Sequence, residues 1–193
     1  IAGLHHRSLA KSLRIIQVFS FICFGALLYF SYHLSIKTLV ATGFFGILTI
    51  LYAIPFAKKK SLRTIKGLKI FIVAIVWAGF TVLVPVLASN MTFSIDVCIT
   101  FIQRFFLVIV FTIPFEIRDL PYDDSILKTL PQKLDILGTN TLVAALSTIA
   151  FIVEGFKKDI SLLYAISLLF ICLQAAFAVF FAKKEQSKYY ASF

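Results

Sequence analysis

Six stretches of this 193-residue chain are almost free of charged side chains, and each is 18 to 23 residues long. They span residues 15–34, 38–56, 70–88, 97–115, 136–153 and 160–182. A helix of about 20 residues crosses the roughly 30 Å of hydrocarbon in a bilayer and satisfies its own backbone polar groups there. The sequence therefore predicts an all-α, polytopic integral membrane bundle with about six transmembrane helices, forming a single transmembrane domain over residues 1–193.

The composition excludes the other architectures. Hydrophobic residues make up 60% of the chain and charged residues only 15%, with a mean hydropathy of +0.96, which is more apolar surface than one soluble core can bury. A membrane β-barrel would show segments of about ten residues with alternating apolar and polar side chains. Stretches such as 168–181 are apolar on nearly every face instead.

The chain has a net charge of +10, and the distribution of its basic residues predicts a membrane topology. If the N-terminus is cytoplasmic, 15 of the 19 basic residues lie in cytoplasmic segments, three lie outside and one lies within a span. This bias follows the positive-inside rule and requires no nucleic-acid partner. We expect an integral protein of a bacterial inner (plasma) membrane, surrounded by membrane lipids, with its N-terminus and long loops in the cytoplasm.

Two long polar loops interrupt a chain whose other connections are short. Loop 57–69 is basic, and loop 116–135 mixes acidic and basic residues. Both lie on the predicted cytoplasmic face. Because functional residues concentrate on such loops, we expect the chemistry of the protein to lie on this face.

The second loop holds five of the nine acidic residues of the chain. At helical spacing Glu116, Asp119 and Asp123 fall at i, i+3 and i+7, on one face. Carboxylates held together repel unless a cation lies between them, and an all-oxygen ligand set favours Mg²⁺ or Mn²⁺, with a phosphorylated substrate. The alternative is that these acids only solvate the loop and pair with its basic residues.

The sequence around these acids resembles a known motif. Asp119-x-x-x-Asp123, preceded by Glu116 and followed by Lys-Thr-Leu-Pro at 128–131, resembles the second aspartate-rich motif of the UbiA superfamily of intramembrane aromatic prenyltransferases. Tyr-Ala-Ile-Pro with the basic residues after it, at 52–60, is similar to the Tyr-x-x-Pro stretch of that family. The resemblance covers nearly the whole chain.

The resemblance implies an Mg²⁺-dependent transfer of a prenyl group from a polyprenyl diphosphate to an aromatic or lipid acceptor. Asp119 and Asp123 would be the catalytic residues, and Glu116 and Asp124 would complete the metal ligands. The side chains expected to bind the diphosphate are Lys58, Lys60, Arg63 and Lys128.

The chain also departs from the family pattern. The first aspartate-rich motif of the family is absent between Ile1 and Arg14, and the second lacks its usual glycine. Accordingly, either the first two helices precede Ile1 or this is a diverged member. The alternative function is a non-catalytic UbiA-like membrane protein, or a small transporter or structural bundle.

Arg104 lies near the middle of the fourth predicted span. An arginine at the centre of a membrane helix costs about 2.5 to 3.5 kcal/mol on translocon scales. We therefore expect Arg104 to face the bundle interior or a hydrated cavity and to be paired. The predicted spans contain no acidic residue, so the sequence does not identify its partner.

Overall fold

The computed structural model describes residues 2–54, 67–120 and 129–181, with the side chains of 2–12, 14, 118, 119 and 181 left undescribed. All regular elements in these ranges are helical. They are α1 (Ala2–Tyr32), α2 (Ile36–Ala53), α3 (Lys69–Ala78), a π-helical segment (Gly79–Leu83), α4 (Val84–Ala88), α5 (Ile95–Asp119), α6 (Leu130–Ile152), a 3₁₀ turn (Val153–Phe156) and α7 (Leu162–Phe181).

Six helical segments in the described ranges are long and apolar enough to cross a membrane. They are Ile15–Tyr32, Ile36–Ala53, Lys69–Ala88, Ile95–Ile117, Leu130–Phe156 and Leu162–Phe180. The prediction of an all-α polytopic membrane bundle is confirmed. The helix ends differ from the predicted loop ends, because α5 continues through Asp119 and α6 begins at Leu130.

The two ends of the bundle differ in their connections. At one end, here called the turn end, the helices are joined by residues 33–35, 89–94 and 153–161. Serine caps begin two helices at this end: Ser35 Oγ accepts from Thr38 N (3.3 Å) and Ser94 Oγ accepts from Val97 N (3.4 Å). These caps satisfy N–H groups that the first helical turn leaves unpaired. The opposite end, here called the loop end, carries connections 54–68 and 120–129.

The core is built around α5, which packs against α3, α6 and α7. Its buried residues Ile109, Val110, Ile113 and Ile117 recur at the spacing of one helical face. Small residues on the neighbouring helices, including Ala74 of α3, let the backbones approach closely, as membrane helices often do. The core therefore lies mainly in the half of the bundle that contains the loop end.

A close contact joins α2 to the third span. The ring of Phe45 packs on the backbone of Gly79, where a Cβ atom would overlap the ring atoms. Gly79 also begins the π-helical segment. The side chains of residues 15–30 in α1 are exposed throughout, so α1 contributes nothing buried to the core over this range.

Candidate functional site

An ion pair joins the stems of the two long loops at the loop end. Lys69 begins α3 directly after the basic loop, and Glu116 lies in the last turns of α5 before the acidic loop. Lys69 Nζ lies 2.8 Å from Glu116 Oε1. Because α3 packs along α5, the basic and acidic loops start next to each other.

This ion pair is largely shielded from solvent. The Glu116 side chain is 6% exposed and that of Lys69 is 27% exposed. Buried Ile113 and Ile117 flank Glu116 on α5, and buried Ile70 follows Lys69. One carboxylate oxygen of Glu116 is therefore held by an ammonium group in an apolar setting, which distinguishes it from a solvated loop acid.

The acidic loop ends where α6 begins. Thr129 N donates to Gln132 Oε1 (3.0 Å), and Pro131 occupies the first turn of α6, where its missing N–H leaves no bond unmade. Thr129 and Gln132 have the arrangement of a capping box at this helix start. A break follows at Asp135, whose φ is 60°, so α6 bends one turn into its length.

Most of the predicted site residues lie outside the part of the chain that can be described. These are Lys58, Lys60, Arg63, Asp123, Asp124 and Lys128. Asp119 ends α5, but its side chain is not described either. Within the described residues no group of three or more His, Cys, Asp or Glu is placed to hold a metal. The metal and diphosphate ligands therefore stay predictions.

A groove opens between α6 and α7 in the half of the bundle that contains the loop end. It has a volume of about 320 Å³ and is lined mainly by apolar side chains, together with the polar amide of Asn140. The Asn140 Oδ1 atom is buried and has no hydrogen-bond partner among the described residues. Such a groove has the character of a hydrocarbon-binding surface with one polar group.

A second buried polar cluster lies near the turn end. Gln103 Nε2 donates to Ala150 O (3.0 Å) and to Glu154 Oε2 (2.9 Å). Glu154 Oε2 also lies 2.6 Å from Lys157 Nζ, which is 4.6 Å from the centre of the Tyr164 ring. The Gln103 Oε1 and Ser147 Oγ atoms are buried and, within the described residues, unpartnered.

The sequence analysis missed this cluster. Glu154 falls just after the predicted span 136–153, but it is 3% exposed and lies within the helical span Leu130–Phe156. One pattern could have indicated it: Ser147 and Ala150 on the buried face of α6 are followed at helical spacing by Glu154 in the 3₁₀ turn. The Glu154 carboxylate can be buried because Lys157 neutralises its charge and Gln103 donates a hydrogen bond to it.

Arg104 does not face the interior, contrary to expectation. Its side chain is exposed, whereas the neighbouring Gln103 is fully buried. Consecutive helical residues point about 100° apart, so only one of the two can occupy the buried face. Among the described residues its guanidinium has no hydrogen-bond or ion-pair partner.

Comparison of the chain with protein-family models, curated proteins and solved structures finds no match. The function must therefore be inferred from the chemistry of the chain itself. The resemblance to the UbiA superfamily stays a prediction based on the motifs at 52–60 and 116–131.

Proposed function

We propose that this protein is a UbiA-like intramembrane prenyltransferase, which transfers a prenyl group from a polyprenyl diphosphate to an aromatic or lipid acceptor. The observation that carries the proposal is the Lys69–Glu116 ion pair. It brings Lys69, which follows a basic stretch of the sequence, into contact with Glu116, which precedes an acidic one, at one end of an apolar bundle. A prenyl diphosphate has the matching chemistry, with a polyanionic head and a hydrocarbon tail.

The ion pair divides the acidic residues into two roles. Glu116 holds Lys69, so we assign it to positioning the two loops, with one oxygen already occupied. The remaining carboxylates, Asp119, Asp123 and Asp124, form an all-oxygen set that suits Mg²⁺ or Mn²⁺. A bound Mg²⁺ would supply positive charge to the diphosphate as its bond to the allylic carbon breaks.

The basic residues act on the same leaving group. Lys58, Lys60, Arg63 and Lys128 belong to segments that begin or end at the loop end. Placed around the diphosphate, they stabilise the negative charge that increases as it departs. The prenyl chain would lie along the groove between α6 and α7, whose apolar walls exclude water.

The proposal places both loops in the cytoplasm of a bacterium, with the spans in its inner membrane. This orientation follows from the basic residues, of which 15 lie on the predicted cytoplasmic face and three on the opposite face. The diphosphate head of the substrate and magnesium would then reach the site from the cytoplasmic side.

Metal-dependent binding tests this proposal. We would measure the affinity of the purified protein for farnesyl thiolodiphosphate, which resists cleavage, with Mg²⁺ and with EDTA. EDTA should abolish binding, and Asp119→Asn and Asp123→Asn should each weaken it by about 1 to 3 kcal/mol, the scale for losing a charged buried partner. Asp159→Asn is the matched control, because Asp159 is exposed at the turn end.

Equal affinity with EDTA, or with both carboxylates removed, would contradict the proposal. That result would favour the alternative, a non-catalytic UbiA-like protein or a small transporter or structural bundle. The buried polar cluster of Gln103, Glu154 and Lys157 favours this alternative, since polar groups inside membrane spans often mark transport pathways.

A further inference from the structure

A groove lies between α2 and the third span at the turn end. It has a volume of about 660 Å³, in the size range of a small-molecule site. Eight of its nine lining residues are apolar, among them the exposed Phe44 and the buried Phe45 of α2 and Leu87 of α4. The ninth is Lys37. This groove, here called the α2 groove, is thus an apolar surface with one cation.

Lys37 lies at the depth of the lipid headgroups. It is the second residue of the span Ile36–Ala53, whereas Phe44 lies seven residues, or about 10 Å, further into the hydrocarbon. Lys37 is exposed, and its ammonium has no hydrogen-bond or ion-pair partner among the described residues. The α2 groove therefore begins at an unpaired cation and continues into the apolar layer.

The described chain leaves the α2 groove open to the bilayer. The stretches 55–66, 121–128 and 182–193 all adjoin helix ends at the loop end, across the membrane from Lys37. None exceeds 12 residues, and a helix of that length measures about 18 Å, less than the roughly 30 Å of hydrocarbon. Non-helical backbone does not cross lipid. These stretches therefore cannot reach the α2 groove, whereas the lipids of the bilayer surround it.

We infer that the α2 groove binds an anionic phospholipid from the leaflet at the turn end. The headgroup phosphate pairs with the Lys37 ammonium, and one acyl chain lies against Phe44 and Leu87. A lipid with net negative charge is preferred, because a zwitterionic headgroup carries its own ammonium, which competes with Lys37 for the phosphate. This site is independent of the proposed prenyl-transfer site, which lies at the loop end.

Tryptophan quenching by brominated lipids tests the proposal. Trp77 is the only tryptophan of the chain, so Trp77→Phe with Phe44→Trp places a single fluorophore in the α2 groove. The variant is reconstituted in phosphatidylcholine vesicles that contain either phosphatidylglycerol or phosphatidylcholine with brominated acyl chains. Phosphatidylglycerol should bind about fivefold more tightly, the equivalent of about 1 kcal/mol for one basic side chain near an anionic surface. Adding Lys37→Gln should reduce this preference to less than twofold.

Two matched controls separate the groove from the rest of the surface. Lys158 is also exposed at the turn end but does not line the α2 groove, so Lys158→Gln should leave the fivefold preference unchanged. Phe170 is 61% exposed near the middle of α7, and Trp77→Phe with Phe170→Trp should report less than a twofold preference there. Unchanged helical circular dichroism confirms that each variant is folded.

Three results would overturn the proposal. The first is equal quenching of the groove tryptophan by the two brominated lipids, or a preference that survives Lys37→Gln. The second is the same fivefold preference at Phe170→Trp, which would show a general attraction of anionic lipid to this basic protein. The third is the absence of quenching by either lipid at Phe44→Trp, which would show that protein covers the groove.

Discussion

Replacement of Lys69 by methionine should destabilise the protein more than replacement of its partner. Lys69→Met keeps the length and apolar stem of the side chain but removes the ammonium group. It leaves the Glu116 carboxylate, 6% exposed, beside Ile113 and Ile117 without its cation. Removing one member of a buried ion pair costs about 3 to 5 kcal/mol, whereas an exposed pair contributes about 0 to 1 kcal/mol.

The unequal exposure of the two side chains determines how much each substitution should lower the free energy of unfolding. Lys69→Met should cost about 3 kcal/mol in free energy of unfolding, near the lower end of the buried range, because the ion pair is partly open to solvent on its lysine side. Glu116→Leu should cost only about 1 to 2 kcal/mol, since Lys69 is 27% exposed and its ammonium can reach water. Lys69→Met with Glu116→Leu should lie within about 1 kcal/mol of the unchanged protein.

Reversible unfolding in mixed micelles of increasing dodecyl sulfate content, followed by far-ultraviolet circular dichroism, gives these free energies. The double-mutant cycle isolates the interaction between Lys69 and Glu116. A coupling energy of about 2 kcal/mol or more is expected. Additive effects of the two changes would show that the pair does not hold α3 to α5, and the structural basis for joining the two loops would be lost.

Two further predictions concern packing and topology. Gly79→Ala should destabilise the protein by about 1 to 3 kcal/mol, because the new methyl group overlaps the Phe45 ring. Gly43→Ala should be neutral or stabilising by up to about 1 kcal/mol, since a Cβ atom at Gly43 meets nothing within 4 Å. Thermal melting curves in detergent would distinguish the two variants. Single cysteines at Lys59 and Ser187, in a background without the native cysteines, should both be labelled only from the cytoplasmic side, and labelling from outside would refute the topology.

The sequence predicted the number and type of the spans because hydropathy reports whether a segment can lie in lipid. It predicted their ends less well. The span before residue 153 was expected to begin at 136, since the charges of Lys133 and Asp135 end the apolar run. A helical turn already begins at Leu130, after a threonine and just before a proline, which is a helix-start pattern that hydropathy does not weigh. The break at Asp135 separates this turn from the helix that continues from the predicted position.

The candidate site was only partly predictable for a different reason. Glu116 was identified from its spacing to Asp119, but its contact with Lys69 depends on how α3 packs on α5. Residues 47 positions apart in the chain are brought into contact by tertiary packing alone. Periodicity along one helix therefore identifies a candidate acid but not the cation that it binds.

The polar groups of α5 follow one physical rule. Glu116 near one end pairs with Lys69, and Gln103 towards the other binds Glu154, which is itself paired with Lys157. Each buried charge is neutralised by a neighbour, because an uncompensated charge in an apolar setting is far more costly than a matched pair. Arg104 lies between them without such a neighbour in the described chain, and it is exposed. The same rule that buries the paired carboxylates therefore leaves Arg104 exposed, because a buried cation at its position would have no described neighbour to neutralise it.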